Sequence, residues 1–357
     1  MIRLRGLKLS YDTGFSLEVD SLDVRRGEIF AVIGPNGAGK TTLLDAIWGH
    51  HSAWCPRPRA GSLSIMGRDA FGGGDRLELR RAMSVVFSQP YLTAGTVADN
   101  VALPLRLRGR REPAAVEAAL ALFRVGHLRG RDARTLSQGE SHRTALARAF
   151  VTGPRLLLLD EPFGNLDERV REDISRDLRR VVKETGAAAV LVTQHQEGAL
   201  TLADRLAVMI GGRILQQGEP QEIFARPASR EVADFVGVET VVPGRVASRR
   251  DNLCAVEAAG RTLMAVSDCA PGDKVFFCLR PEDVSVSLNS DAGGRRNNFP
   301  SKIVSVEPWG LEYRVELDCG FPLQAAVTKQ LVDGLGLKPG LEVHASFKAV
   351  AAHLIKR

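Results

Sequence analysis

Residues 34–42 read Gly34-Pro35-Asn36-Gly37-Ala38-Gly39-Lys40-Thr41-Thr42, the GxxxxGKS/T spacing of a loop that turns its backbone N–H groups onto phosphate. The glycines let those groups converge on an anion without a Cβ in the way. A helix starting at the loop aims its positive end at the same anion. Lys40 would supply a point charge for the β- and γ-phosphates of a nucleoside triphosphate, and Thr41 a hydroxyl for Mg²⁺. Further along, Asp160-Glu161 closes the apolar run RLLLLDE. Carboxylates at the C-terminal end of a central strand stand at the sheet edge where ligands bind. Asp160 could there hold Mg²⁺ through water, and Glu161 could polarise an attacking water as general base.

Such a site needs strands that end together. The runs GEIFAVIG (27–34), RLLLLDEP (155–162) and AAAVLVTQ (187–194) lack polar alternation and are separated by helical stretches. They predict a parallel sheet covered on both faces, an α/β domain over residues 1–235. Between about 90 and 150 the pattern turns helical, as in PAAVEAALALF and SHRTALARAF, and predicts a helical subdomain inserted into that core. From Val241 to Arg357 the segments become short, β-rich and bounded by Gly, Pro and Asp. They occur twice, with Pro271-Gly272 and Pro339-Gly340 opening an apolar strand at matching places, and the polar stretch 291–298 reads as the join. Two small sheets bury more together than either does alone. At 357 residues, 44% of them apolar, the chain can build such cores without disulfides. Cys55, Cys254, Cys269, Cys278 and Cys319 show no CxxC spacing and are expected as reduced thiols. The net charge of +6 is spread along the chain and specifies no partner by itself.

Leu136-Ser137-Gln138-Gly139-Glu140 stands just before a predicted helix and ahead of the Asp160 strand. With the phosphate loop and the carboxylate pair in the same order, residues 1–235 resemble the ATP-binding domain of ABC transporters, in which this segment matches the LSGGQ signature. The resemblance implies ATP and Mg²⁺ as ligands and a head-to-tail homodimer, in which Ser137 and Gly139 of one copy cover the γ-phosphate held by the other. Gln89, after SVVFS, lies where the family has its Q-loop and would reach Mg²⁺ and the attacking water. Asn165-Leu166-Asp167 resembles the D-loop, and Tyr11 stands where an aromatic stacks on adenine. Two segments depart from the pattern. The signature continues as Ser141-His142-Arg143 where the family has QRQR or similar. The switch histidine of the usual THDQ is displaced in Val192-Thr193-Gln194-His195-Gln196: counting from Asp160 puts Gln194 in its place. Gln194 can donate a hydrogen bond to the γ-phosphate but carries no charge. A one-residue shift at the strand end would instead present His195, because side chains alternate faces along a strand.

The C-terminal repeats resemble the tandem, small β-barrel-like TOBE modules of importer ATPases, most of all those of molybdate and tungstate importers. The resemblance implies two membrane-spanning permease subunits and a periplasmic or extracellular solute-binding protein as partners, with the chain on the cytoplasmic side of the membrane. Sulfate, polyamine, iron or sugar remain open as solutes. A soluble ABC ATPase acting on nucleic acid or ribosomes is the other class. Such proteins carry two cassettes or a long coiled-coil insertion, so no nucleic-acid partner is expected. The β-domain either binds an oxyanion, with Ser267, Ser305, Thr328 and Lys329 as candidates, or only stabilises a dimer. No apolar stretch approaches the ~20 residues that span a bilayer, and the N-terminus shows no signal-peptide core.

Overall fold

The structure is a computed structural model. It describes every residue except 13, 50–59, 73–75, 165 and 291–295, and only the backbone of 296. Asn165 of the D-loop segment, Cys55 and most of the join at 291–298 therefore lie outside the described residues. The chain forms two compact units, Met1–Gln221 and Glu222–Arg357.

The first unit contains β1 (Ile2–Ser10), β2 (Ser16–Val24), β3 (Ile29–Ile33), α1 (Lys40–Trp48), β4 (Ala60–Ile65), β5 (Arg68–Asp69), α2 (Arg76–Arg81), β6 (Met83–Val86), α3 (Val97–Leu107), α4 (Pro113–Leu122), α5 (Gln138–Phe150), β7 (Leu156–Asp160), α6 (Glu168–Thr185), β8 (Ala188–Thr193), α7 (Gln196–Leu202), β9 (Arg205–Ile210) and β10 (Arg213–Gly218). Its strands make one sheet in the order β5-β4-β1-β2-β10-β9-β3-β8-β7-β6. The strands β6, β7, β8, β3 and β9 run parallel, and β3 and β8 are buried along their whole length, as continuous apolar runs require. The other half adds antiparallel strands that the three apolar runs did not announce. Here β1 pairs antiparallel with both β2 and β4. In β1 the residues Ile2, Leu4, Leu7 and Leu9 point inward between exposed ones, the pattern of a strand covered on one face. The helices α3, α4 and α5 lie within the stretch read as a helical subdomain, and Phe123 and Phe150 pack there with ring centroids 5.2 Å apart.

In the second unit, α8 (Pro220–Ala225) straddles the division and is followed by α9 (Arg230–Phe235), β11 (Thr240–Arg250), β12 (Leu253–Ala258), β13 (Arg261–Val266), β14 (Lys274–Leu279), β15 (Ser285–Ser287), β16 (Arg296–Trp309), β17 (Glu312–Asp318), β18 (Pro322–Thr328), α10 (Lys329–Leu335), β19 (Glu342–Lys348) and β20 (His353–Lys356). Two five-stranded sheets form, β13-β12-β11-β14-β20 and β15-β19-β16-β17-β18. Each takes its last strand from the other half: β20 closes on β14, and β15 on β19. The two sheets share one core, with Val256, Phe277, Phe299, Leu317 and Phe347 in contact through a continuous apolar cluster. The polar join is shorter than expected, because the strand β16 already begins at Arg296. Within it, the buried Asn297 side chain accepts from Met264 N at 2.7 Å and donates to Met264 O at 2.9 Å. The division also falls ahead of the composition change near Phe235. The segment 222–239 is bound to the β-sheets: Arg280 Nη2 donates to Phe224 O and Val236 O, and His353 Nε2 lies 3.0 Å from Pro227 O.

Candidate functional site

The loop 34–42 joins the C-terminal end of β3 to α1. Its glycines answer to specific neighbours. A Cβ on Gly34 would lie 2.0 Å from Met209 O of the adjacent β9, and one on Gly39, which has φ +99°, would lie 2.9 Å from Phe15 Cζ. Gly37 also has positive φ, +77°, a conformation open to glycine at little cost. The Lys40 side chain is folded back into the loop, donating to Gly34 O at 2.8 Å and Pro35 O at 3.0 Å. Burial pushes its pKa down, against the opposing pull of the Glu161 and Asp160 carboxylates. Thr41 Oγ1 lies 3.2 and 3.3 Å from the two carboxylate oxygens of Asp160. Burial raises the pKa of Asp160; its bond from Thr41 opposes the rise and the neighbouring Glu161 adds to it. A hydroxyl beside a carboxylate is a pair of hard oxygen donors of the kind Mg²⁺ takes.

Glu161 has φ +44°, a left-handed backbone that costs a non-glycine residue about 1–2 kcal/mol. Its own N–H, donating to Val192 O at 2.9 Å, and Gly164 N, donating to its carbonyl at 3.0 Å, hold it there. Both carboxylate oxygens are engaged: Thr193 Oγ1 donates to Oε2 at 2.7 Å and Gln194 N to Oε1 at 2.7 Å. The sequence alone gives Thr193 no role. It is a buried hydroxyl at the end of β8, and it also accepts from His195 N at 3.0 Å. The side chain of Gln194 is exposed, while His195 is half-buried at the N-cap of α7.

A cleft of about 460 Å³ opens over the loop, lined by Tyr11, Phe15, Asn36, Gly37, Ala38, Gly39, Lys40, Thr41, Thr42 and Glu161. Tyr11 OH donates to Thr42 Oγ1 at 3.3 Å, and its ring packs against Phe15 with centroids 5.9 Å apart. Phe15 is a lining residue to which the sequence did not point; its closeness to Gly39 exists only in the folded chain. Gln89, Ser137 and Gly139 are not among the lining residues. Gln89 accepts at Oε1 from Tyr91 OH at 3.3 Å. Ser137 caps α5 in a reciprocal box, its Oγ accepting from Glu140 N at 3.3 Å while Glu140 Oε2 accepts from Ser137 N at 2.8 Å. Gly139 sits against α6, where a Cβ would meet Val170 Cγ1 at 2.9 Å.

In the second unit the four anion candidates are not gathered in one place. Ser267 is bound within its own turn to Cys269, Thr328 caps α10, Lys329 follows it, and Ser305 lies at a bulge of β16. A cavity of about 550 Å³ lies elsewhere on this unit; Arg261, Ser301, Lys302 and His344 line it together with Asp318 and Glu342. Cys254, Cys269, Cys278 and Cys319 are free and buried.

The family model for ABC transporters matches residues 17–164, and the model for the TOBE domain matches 295–354. The molybdate/tungstate import ATP-binding protein of Pyrococcus horikoshii is 36% identical over 99% of this chain and 99% of its own. A spermidine/putrescine import ATP-binding protein of Nitrosomonas europaea is 35% identical over 91% of this chain and 90% of its own. A sulfate/thiosulfate import ATP-binding protein of Xanthomonas campestris is 34% identical over 98% and 95%. Among solved structures, cbiO1 of Clostridium perfringens, part of the ABC transporter complex cbiONQ, matches with a TM-score of 0.58 and 26% identity, over 67% of this chain and 94% of that one. Among the described residues no helix is long and apolar enough to cross a membrane. With relatives of this similarity along nearly its whole length, the chain belongs to the ABC transporter family as an ATPase that carries a C-terminal TOBE domain.

Proposed function

We propose that this chain is the ATP-hydrolysing subunit of an importer for a small solute, and that the solute is a tetrahedral oxyanion, molybdate or tungstate. The observation that carries the importer reading is the near full-length similarity to import ATP-binding proteins, which spans both units. The oxyanion reading rests on molybdate/tungstate and sulfate/thiosulfate proteins among those relatives, and polyamine import is the competing solute class. Two membrane-spanning permease subunits and an extracytoplasmic solute-binding protein complete the assembly, with this chain on the cytoplasmic side.

In the proposed mechanism two copies close head to tail over two ATP molecules. Tyr11 stacks on adenine, and the loop 34–42 with Lys40 holds the phosphates. Thr41 and Asp160 would hold Mg²⁺, aided by Gln89; when bound, the ion neutralises charge on the phosphate oxygens. Ser137 and the Gly139 N–H of the partner copy cover the γ-phosphate, and Gln194 donates to it. Glu161 takes the proton of the attacking water as general base. Its preset position, with each oxygen held at 2.7 Å, leaves little reorganisation for the reaction. Calorimetry of the full-length protein with molybdate, tungstate, sulfate and spermidine tests the solute. Heat with molybdate and tungstate and none with spermidine is the expected result. Heat with spermidine alone would replace the oxyanion reading by the polyamine one.

A further inference from the structure

The segment that presents Gln89 is held from both sides by α5. His142, only 2% exposed, has Nε2 3.3 Å from Ser88 O and Nδ1 2.9 Å from Gln138 O. Arg148, further along the same helix, donates Nη1–H to Tyr91 O at 2.7 Å. Gln89 stands between these two tethered carbonyls. Beyond it the fully buried Asn100 of α3 accepts from Thr93 N at 2.8 Å and donates to Thr93 O at 2.9 Å. By contrast β6 pairs with β7 as far as Val86 opposite Leu159. The chain therefore leaves the sheet at Phe87 and from Ser88 onward is fastened to helices. The helix that fastens it begins at its cap with Ser137.

We propose that His142 and Arg148 are positioning residues that lock Gln89 to α5, so that Gln89 at one ATP site and Ser137, which serves the site of the second copy, move as one piece. The proposal rests on the roles given to Gln89 and Ser137 above. Two carbonyl oxygens face the imidazole, and protonated on Nε2 the ring donates to Ser88 O. The bond pins the residue next to Gln89 without touching ATP or reacting atoms. A glutamine at 142 carries an N–H donor on a chain of similar reach and keeps the link; alanine removes it. Ser141-His142-Arg143, where this sequence departs from its family, thus contains a tether between the Gln89 and Ser137 segments rather than a ligand of the nucleotide.

The test uses the full-length protein with the variants His142→Ala, His142→Gln and Arg148→Met, and Gln89→Ala as reference. His142→Ala and Arg148→Met should each lower kcat about tenfold, the scale of a small misplacement at a reacting centre, with the Kd for ATP within about twofold. His142→Gln should restore most of the rate. In a Glu161→Gln background, ATP should slow amide exchange at 88–91 and at 137–141 together. With His142→Ala and Arg148→Met combined, exchange at 137–141 should still slow while that at 88–91 no longer follows. Equal slowing at both segments in the combined variant, or His142→Gln as damaging as His142→Ala, overturns the proposal. Loss of turnover in Gln89→Ala without loss in the tether variants overturns the tether alone. An unchanged rate in Gln89→Ala overturns the role of Gln89 and the tether with it. Arg148→Met keeps the aliphatic stem in place, so it carries the comparison where His142→Ala fails to fold.

Discussion

At the scale of residues, the site is defined by how two adjacent acids differ. Glu161 sits on a left-handed backbone with both oxygens accepting hydrogen bonds, whereas Asp160 faces Thr41 and pays a burial penalty that raises its pKa. Glu161→Gln keeps the shape and removes the base. It should bind ATP, lose hydrolysis by about a hundredfold or more, and accumulate an ATP-bound dimer on gel filtration; hydrolysis at the parental rate would remove Glu161 from its role. At the end of β8 the exposed Gln194 and the half-buried His195 divide clearly. Gln194→Ala should lower turnover about tenfold and His195→Ala far less, and the reverse ranking would assign the contact to His195. For Asp160 the sign follows from proton binding. A carboxyl with a raised pKa holds its proton more tightly folded than unfolded, so the fold loses stability as pH rises from the ordinary value of 3.8 past the raised one. Asp160→Asn should therefore raise the melting temperature of the nucleotide-free protein at pH 7 and leave it unchanged in acid below that window, while abolishing hydrolysis. A lower melting temperature at pH 7 would mean that the bond to Thr41 outweighs the burial.

At the scale of elements, the phosphate loop works because β9 passes directly behind it. Gly34→Ala would drive a methyl to within 2.0 Å of Met209 O, a backbone atom of a central strand that cannot step aside. The variant should lose ATP binding and about 1–3 kcal/mol of stability, read by nucleotide titration and thermal melting; normal binding at an unchanged melting temperature would show that the contact relaxes freely. The loop, the apolar strands β3, β7 and β8 and the helices flanking them were legible in the sequence, because burial on both faces leaves no polar residue to confuse the period. The start of α5 was legible too, from the place of Ser137 just ahead of a helical stretch. Partner choice was not legible. The alternation in β1 announces a strand with one covered face, yet its pairing with β2 and β4 is decided by the rest of the sheet. Thr193 and Phe15 were missed for a related reason: a hydroxyl and a ring in unremarkable positions gain their roles only from neighbours distant in sequence. His142 stood out as a departure, but its contact with Ser88 O, 54 residues away, was not legible.

At the scale of the whole molecule, the chain consists of a nucleotide unit and a β unit whose limits are set by packing rather than by composition. Composition changes near Phe235, but the two β-sheets hold the segment ahead of it. Arg280 donates to Phe224 O at 2.6 Å and to Val236 O at 3.4 Å, His353 reaches Pro227 O at 3.0 Å, and the Arg230 guanidinium lies 5.4 Å from the centre of the Phe276 ring. In α9 the side chains of Val232 and Ala233 are fully buried. The exchange of β15 and β20 between the sheets adds a further condition, since neither half can close without the other's last strand. A fragment of residues 222–357 should accordingly unfold in one cooperative step. A fragment of 240–357 keeps all the strands but leaves the Arg280 guanidinium and the His353 ring without their carbonyl partners, each lost bond costing about 1 kcal/mol. Its melting temperature should lie roughly 5–10 °C lower. Two separate transitions in the longer fragment would show that the exchanged strands do not bind the halves into one unit. Equal melting temperatures for the two fragments would show instead that the boundary belongs at Phe235, where the composition changes.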